Sequence, residues 1–211
     1  MTTQVQFFQL TSSDPTDFDA LFAIYKTSLP VSEQKPVHQL RAMLERDDYL
    51  FLILRVAQQI QGFAIAYVSK QSPFYLLEYM AIDPSQRNLG YGAQLYQALR
   101  EQVNSVFGGA RAAMIEVDSP DELSSDQTLR RRRVDFYRRC GAVVVKGLDY
   151  LLPLDTGEPP PAMWLMLHMP CTELPGPTML CEWLADIFDK VYRQPADDRR
   201  LLMMRQQLME F

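Results

Sequence analysis

The sequence is poor in the two residue types that most often bind metals or form cross-links. Its three cysteines, Cys140, Cys171 and Cys181, are odd in number and show no C-x-x-C spacing, so neither a disulfide framework nor a zinc site is indicated. The two histidines, His38 and His168, are too few for most metal sites without help from carboxylates. We therefore expect a protein without a metal, in a reducing compartment.

The sequence also lacks the features of membrane proteins and of nucleic-acid-binding proteins. No stretch approaches about 18 uninterrupted apolar residues, and residues 1–10 contain no basic segment followed by a long apolar run. The formal net charge is −5, whereas nucleic-acid-binding domains are usually basic. We expect a cytoplasmic protein that binds neither a membrane nor nucleic acid, and the acidity weakly favours a cationic substrate.

The most informative stretch is a strand, a glycine-containing turn and a helix between residues 74 and 107. Residues 74–82 are almost all apolar or aromatic, with Glu78 as the only charge, which predicts a central strand that is buried on both faces. Pro84 ends the strand because proline cannot donate to a ladder. Two glycines follow within residues 87–93, and a helix comes next. The apolar face of this helix carries Leu95, Leu99, Val103 and Val106.

A turn of this kind leaves several backbone N–H groups at the helix N-terminus without partners. They favour an anion such as a phosphate or a pyrophosphate. Two well-known phosphate loops do not match the residues. The chain has no Gly-Lys-Ser/Thr here, as an NTPase loop requires, and residues 90–95 lack the third glycine of the dinucleotide fingerprint.

The motif that does match is Ile-Asp-Pro at residues 82–84 followed by Arg87-x-x-Gly90-x-Gly92. It resembles the acetyl-CoA loop of the GNAT superfamily of N-acetyltransferases. The resemblance implies that acetyl-CoA is the co-substrate and that a primary amine of a small molecule or peptide is the acceptor. The amine would attack the thioester directly in a ternary complex. The alternative is a GNAT-fold module that binds CoA without turnover, or an interaction protein that uses its C-terminal helices.

A second stretch supports the resemblance. Phe136-Tyr137 followed by Gly141-Ala142 is similar to the helix end of the second GNAT signature, in which phenylalanine usually follows the glycine. The order of a strand, two helices, three consecutive strands and the glycine turn is also the GNAT order. We expect an α/β fold with a mixed, mostly antiparallel central sheet of about six to seven strands flanked by helices.

The C-terminal part of the chain differs from this pattern. The resemblance predicts an acetyltransferase domain over residues 1–170 and a helical extension over residues 171–211. A long proline-rich connection, residues 146–161, precedes the last strand of that domain. The extension carries two apolar stripes, which either cap the core or form a homodimer contact. Their members are Leu180, Leu184, Ile187, Phe188 and Val191, and then Leu201, Met204 (or Arg205) and Leu208.

Glu78 is the candidate general base. An alkylammonium has a pKa near 10.4 in water, so a neutral-pH acetyltransferase must deprotonate its acceptor. A carboxylate among apolar neighbours should have a raised pKa, which suits a general base. GNAT proteins with a similar strand use a glutamate at this position as the base. Glu78 as a structural carboxylate remains the alternative, and Glu116 and Asp118 on the next strand are competing candidates.

The resemblance also implies roles for residues around the thioester and the pyrophosphate. Tyr137 matches the tyrosine that the family uses as general acid for the departing thiolate; a core aromatic is the alternative. A backbone N–H near Met80 or Ile82 would stabilise the oxyanion. The candidate cofactor-binding residues, contributed by the strand, the turn and a later helix, are Met80, Ala81, Ile82, Arg87, Asn88, Leu89, Gly90, Tyr91, Gly92, Ala93 and Arg130.

Three features near the site depart from the family or stay open. Arg130 stands where many GNAT proteins have asparagine, and it either faces the cofactor or lies in a solvated face. Residues 117–124 look like an insertion. Glu33 lies in the connection between the first two helices, which lies beside the acceptor site in the family, so Glu33 either faces the substrate or is an ordinary loop residue.

Overall fold

The protein is described by a computed structural model that covers residues 4–122, 124, 126–153 and 162–210. The strands are β1 (Val5–Gln9), β2 (Tyr49–Val56), β3 (Gln59–Val68), β4 (Phe74–Ile82), β5 (Ala112–Asp118), β6 (Val143–Val144) and β7 (Met163–His168). The helices are α1 (Pro15–Ser28), α2 (Val37–Leu44), α3 (Tyr91–Phe107), α4 (Gln127–Arg139), α5 (Pro177–Lys190) and α6 (Arg199–Met209). None of the helices in the described ranges combines the length and the apolar composition that a membrane span requires.

The described strands form one seven-stranded sheet in the order β1-β2-β3-β4-β5-β7-β6. The pairs β1/β2, β2/β3, β5/β7 and β6/β7 are antiparallel. Leu54 pairs with Gly62 and Arg55 pairs with Ile60, so Gln61 is the extra residue of a β-bulge. The predicted mixed α/β fold, with a mostly antiparallel sheet and flanking helices, is confirmed.

The chain forms two compact units. The first contains the described residues up to Lys70 together with Leu77–Ala110. The second contains Gln71–Leu76 and the described residues from Arg111 onward. The predicted division at residue 170 is a different kind of boundary, based on family resemblance, and it remains a prediction.

Helices cover the strands of the first unit. β2 and most of β3 are buried because α1 and α3 pack on β3 while α2 packs on β2. Asp14 caps α1, since its carboxylate accepts the backbone N–H of Asp17 at 3.2 Å. The predicted apolar face of α3 is buried at Leu95, Leu99 and Val103. The prediction is wrong for Val106, which lies in the last turn of α3 and is 48% exposed.

The second unit contains the C-terminal helices. α4 packs on β5, and α5 packs on α6. The predicted stripes are buried within a single chain at Leu180, Leu184, Ile187, Phe188, Leu201, Met204 and Leu208, and Val191 is half-buried. The indole of Trp183 on α5 stacks on Phe74, with ring centroids 5.2 Å apart. Residues 154–161 of the predicted proline-rich connection lie outside the described residues.

Replacing Gly62 with alanine tests the close approach of β3 to the end of β4. A Cβ at Gly62 would lie 2.6 Å from Ile82 Cδ1 and 2.9 Å from the Ala81 carbonyl oxygen. We expect Gly62→Ala to lower the free energy of unfolding by about 1–3 kcal/mol through overpacking, measured by urea unfolding. Gly176→Ala is the matched control, because a Cβ at Gly176 would have no neighbour within 4 Å among the described residues. An equal loss in both variants would contradict this interpretation.

The buried tyrosines predict a loss of stability at alkaline pH. Burial raises the pKa of Tyr137 to about 12, and burial also raises the pKa values of Tyr25, Tyr49 and Tyr150. Above pH 10 the unfolded chain releases phenol protons that the native chain retains, so the free energy of unfolding falls as pH rises. Each such phenol contributes a slope of about 1.4 kcal/mol per pH unit between its two pKa values.

Urea unfolding at several pH values between 9 and 12 measures this slope. Tyr137→Phe should make the slope shallower by about one proton, while leaving the pH dependence of stability below pH 9 unchanged. An unchanged slope in Tyr137→Phe would show that this phenol titrates normally in the folded protein.

Candidate active site

The site in the first unit is built around the carboxylate of Glu78 on β4. The residues before it on this strand are buried, whereas Glu78, Tyr79 and Met80 are half-buried. The side chain of Glu78 itself is only 4% exposed. A carboxylate that is this far removed from water is stable only with hydrogen-bonded or charged partners.

Both oxygens of Glu78 have a partner from a distant part of the sequence. Lys35 Nζ donates to Glu78 Oε2 at 2.9 Å, and the Tyr49 hydroxyl donates to Glu78 Oε1. Lys35 comes from the connection between α1 and α2, and Tyr49 is the first residue of β2. Sequence analysis missed both residues, although it did point to this connection through Glu33.

Lys35 is held in place by aromatic residues around it. Its backbone N–H donates to the hydroxyl of Tyr25 at 2.8 Å, and its Nζ donates to the hydroxyl of Tyr79 at 3.0 Å. The ammonium also lies 5.0 Å from the centre of the Tyr79 ring, within range of a cation–π interaction. The Tyr79 hydroxyl lies 3.4 Å from the carbonyl oxygen of Glu33, so Glu33 contacts this cluster through its backbone.

Tyr49 is suited to act as a donor to Glu78. Burial raises the pKa of Tyr49, and the negative charge of Glu78 raises it further, so the phenol keeps its proton. The guanidinium of Arg46 lies 4.6 Å from the centre of the Tyr49 ring. Arg46 in turn makes two hydrogen bonds of 2.8 Å to the carboxylate of Asp48, which fixes its plane against the ring.

The glycine turn follows directly from β4. The carboxylate of Asp83 accepts the backbone N–H of Ser85 at 2.8 Å, and Arg87 Nε donates to the carbonyl oxygen of Ile82 at 3.3 Å. Asn88 and Gly90 adopt positive φ angles of 66° and 82°, a conformation that glycine adopts without steric cost.

Gly90 is the N-cap residue of α3 and offers no side chain to its first turn. Backbone N–H groups of a helix start that lack a capping side chain are suited to an anion. The sequence-predicted residues around this start differ in exposure. Ala81 is buried, Met80, Ile82, Tyr91 and Gly92 are half-buried, and Arg87, Asn88, Leu89, Gly90 and Ala93 are exposed.

Tyr137 and Arg130 lie on α4 in the second unit. Tyr137 is buried, with its ring edge-on to Phe136 at a centroid distance of 5.0 Å. The guanidinium of Arg130 pairs with Glu122 at 2.7 Å and with Asp126 at 3.1 Å. Arg130 would therefore reach a cofactor only after exchanging these partners.

The two competing carboxylates also lie in the second unit, and both have partners. Glu116 on β5 accepts hydrogen bonds from the hydroxyls of Tyr150 and Tyr192. Asp118 pairs with Arg133 at 2.7 Å. Over the ranges that the structure describes, no group of three or more histidine, cysteine, aspartate or glutamate side chains could hold a metal ion.

Several solved structures that resemble this fold are described as acetyltransferases. A Bacteroides thetaiotaomicron protein assigned to the GNAT family superposes with a TM-score of 0.72 and 24% identity, covering 89% of this chain and 98% of its own. The ribosomal-protein-S18-alanine N-acetyltransferase of Escherichia coli superposes with a TM-score of 0.58 and 17% identity, covering 82% of this chain and 99% of its own. An aminoglycoside 6′-N-acetyltransferase complexed with coenzyme A superposes with a TM-score of 0.64 and 16% identity, covering 81% of this chain and 99% of its own. Because all three sequence identities are below 25%, these similarities show a shared fold and no more.

The sequence comparisons are more specific about the family. No curated protein matches the chain. The family model described as the acetyltransferase (GNAT) family matches residues 18–142, which is more than half of the 211 residues. This match includes the whole of β4, the glycine turn and α3. The chain therefore belongs to the acetyltransferase (GNAT) family.

Proposed function

We propose that the protein is an N-acetyltransferase that transfers the acetyl group of acetyl-CoA to a primary amine by direct attack in a ternary complex. The observation that carries this proposal is the hydrogen bond between the buried carboxylate of Glu78 and an amine, the Nζ of Lys35, at 2.9 Å. The first unit therefore already contains a carboxylate that binds an alkylammonium, on the strand that leads into the glycine turn.

Glu78 is proposed as the general base. A base must lie within about 2.6–3.2 Å of the proton-bearing atom. The ammonium nitrogen of Lys35 lies 2.9 Å from Glu78 Oε2, which is within that range. Tyr49 would stabilise the carboxylate by its hydrogen bond and orient the second oxygen. The acceptor amine would take the proton-donating position that Lys35 occupies.

The start of α3 is proposed to bind acetyl-CoA. The uncapped first turn, behind the exposed residues 87–90, fits a pyrophosphate because its backbone donors have no side-chain acceptor from Gly90. The side chain of Arg87 would add a positive charge. The backbone N–H groups of Met80, Ala81 and Ile82, on the strand that leads to this turn, are proposed to hold the acetyl end and its oxyanion.

Tyr137 is proposed as the general acid for the departing thiolate. Burial raises its pKa to about 12, so the phenol is fully protonated at neutral pH and can donate. This role follows from the family resemblance. A core aromatic residue would show the same burial, and Tyr137→Phe distinguishes the two roles by activity.

The acceptor is proposed to be a primary amine of a small molecule or a peptide, with no role for nucleic acid or a membrane. The net charge of −5 and the carboxylate at the site both favour a cation. The structural neighbours include an aminoglycoside acetyltransferase and a ribosomal-protein-alanine acetyltransferase, which supports this broad class. We also propose a cytoplasmic location, because the cysteine pattern of the sequence favours a reducing compartment.

A second candidate function is a CoA-binding sensor or interaction module without catalysis. The observation that favours it is the ion pair of Glu78 with Lys35, because a purely structural carboxylate would be paired in this way. In that case α6 would contribute to a partner or homodimer contact. Leu202 and Met203 on α6 are 48% and 43% exposed, which supplies an apolar surface for it.

Replacing Glu78 tests the enzyme proposal. Release of CoA thiol would be followed with acetyl-CoA and a panel of primary amines. We expect Glu78→Gln to lower kcat by roughly 10²–10⁴, the usual contribution of a general base. Asp118→Asn is the matched control, because it removes a carboxylate of the competing pair in the second unit and should leave the rate within about threefold.

Glu78→Gln also leaves the ammonium of Lys35 without its partner, which can destabilise the fold. The double variant Lys35→Gln with Glu78→Gln avoids an unpaired charge and should be folded but equally slow. Wild-type kcat in either folded variant would exclude Glu78 as the base. Binding of CoA without turnover of any amine by the wild type would favour the sensor.

A further inference from the structure

We propose that Lys35 is itself an acetyl acceptor, so that the protein acetylates its own Lys35 Nζ when no other amine is bound. This inference rests on the proposed function, because it uses the same base and the same acetyl donor. It assigns a modification site to a residue that no sequence motif singles out.

The amine of Lys35 lies at a reactive distance from the proposed base. Its Nζ is 2.9 Å from Glu78 Oε2, within the distance over which a general base removes a proton. Glu78 and Met80 lie on the same face of β4, about 7 Å apart along the strand. An amine bound to Glu78 is therefore within side-chain reach of the strand segment proposed to hold the acetyl group.

Contacts on both sides of Lys35 hold its backbone in place. Gln34 Nε2, next to it in sequence, donates to the carbonyl oxygen of Leu29 at 2.7 Å. Pro36, on the other side, is the N-cap residue of α2, and the backbone N–H of Lys35 is bound by Tyr25. An intramolecular amine that is already positioned loses little entropy on reaction, which makes it an efficient acceptor.

Lys35 Nζ donates to one charged partner, Glu78, and to one uncharged partner. Its other partner is the hydroxyl of Tyr79, which is uncharged. When the proton moves from Nζ to Glu78, an ion pair becomes a neutral pair of amine and carboxylic acid. No uncompensated charge is left in a site where one carboxylate is 4% exposed.

The proposed reaction is balanced without any further reactant. Glu78 removes one proton from the ammonium of Lys35, and the neutral nitrogen attacks the carbonyl carbon of the thioester. A C–N bond forms and the C–S bond breaks. The nitrogen loses a second proton after the attack. Of the two protons that it loses, one ends on the thiolate and the other goes to solvent, so the products are Nε-acetyl-Lys35, CoA and one proton.

Exposed lysines provide an internal reference for non-enzymatic acetylation. The side chains of Lys70 and Lys190 are 54% and 43% exposed and form surface ion pairs, whereas that of Lys35 is 28% exposed. Direct chemical acetylation by acetyl-CoA favours the accessible lysines. Selective labelling of the less accessible Lys35 would therefore require catalysis at the site of Glu78.

The test is to incubate the full chain with acetyl-CoA, without an added amine, and to follow acetylation of each lysine by peptide mass spectrometry. We expect Lys35 to be labelled roughly 10²-fold faster than Lys70 or Lys190, the lower range of general-base catalysis, at a rate independent of protein concentration. Glu78→Gln should reduce labelling of Lys35 to the rate of the exposed lysines. Lys35→Arg keeps the positive charge beside Glu78 and should abolish the label, while Lys70→Arg should not change it.

Three results would overturn the proposal, and they have different consequences for the proposed function. If acetyl-CoA binds and added amines are acetylated but Lys35 stays unmodified or is labelled like Lys70, self-acetylation is wrong and the enzyme proposal stands. If acetyl-CoA neither binds nor reacts with any amine, both fail together. Labelling of Lys35 that rises with protein concentration would show transfer between molecules and would contradict the intramolecular reaction.

Discussion

The first unit of this protein depends on the burial of one carboxylate. Glu78 lies on a strand of apolar residues, and it can be this far from water only because Lys35 and Tyr49 satisfy its two oxygens. Those partners come from the α1–α2 connection and from the start of β2. The carboxylate therefore joins three separate segments, and the contact that stabilises it is also a contact with an amine.

Local features of the site could be predicted from the sequence. The proline and the two glycines restrict the backbone after β4, so that a turn and a helix start at Gly90 follow from residues close together in the chain. The periodicity of apolar residues likewise predicts the buried faces of α3 and α5. The exposure of Val106 could not be predicted from this spacing, because periodicity does not reveal where a helix leaves the surface on which it packs.

The partners of the charged residues could not be predicted, because they are far apart in sequence. Nothing in the segment around Lys35 distinguishes it from a solvated lysine, and its contact with Glu78 spans 43 residues. Glu116 shows the same limit, since its hydroxyl donors, Tyr150 and Tyr192, are 34 and 76 residues away. A buried carboxylate implies that a partner exists, but its identity depends on how strands and connections pair in three dimensions.

Thermal unfolding of the full chain with and without saturating acetyl-CoA tests most directly whether the turn after β4 binds acetyl-CoA and brings the acetyl group to the strand of Glu78. A ligand at about 100 times its dissociation constant adds roughly 2.7 kcal/mol to stability. For a chain of this size, that predicts a rise in Tm of about 5–10 °C. An unchanged Tm in a folded protein would contradict acetyl-CoA binding, because the glycine turn would then have no acetyl group to deliver.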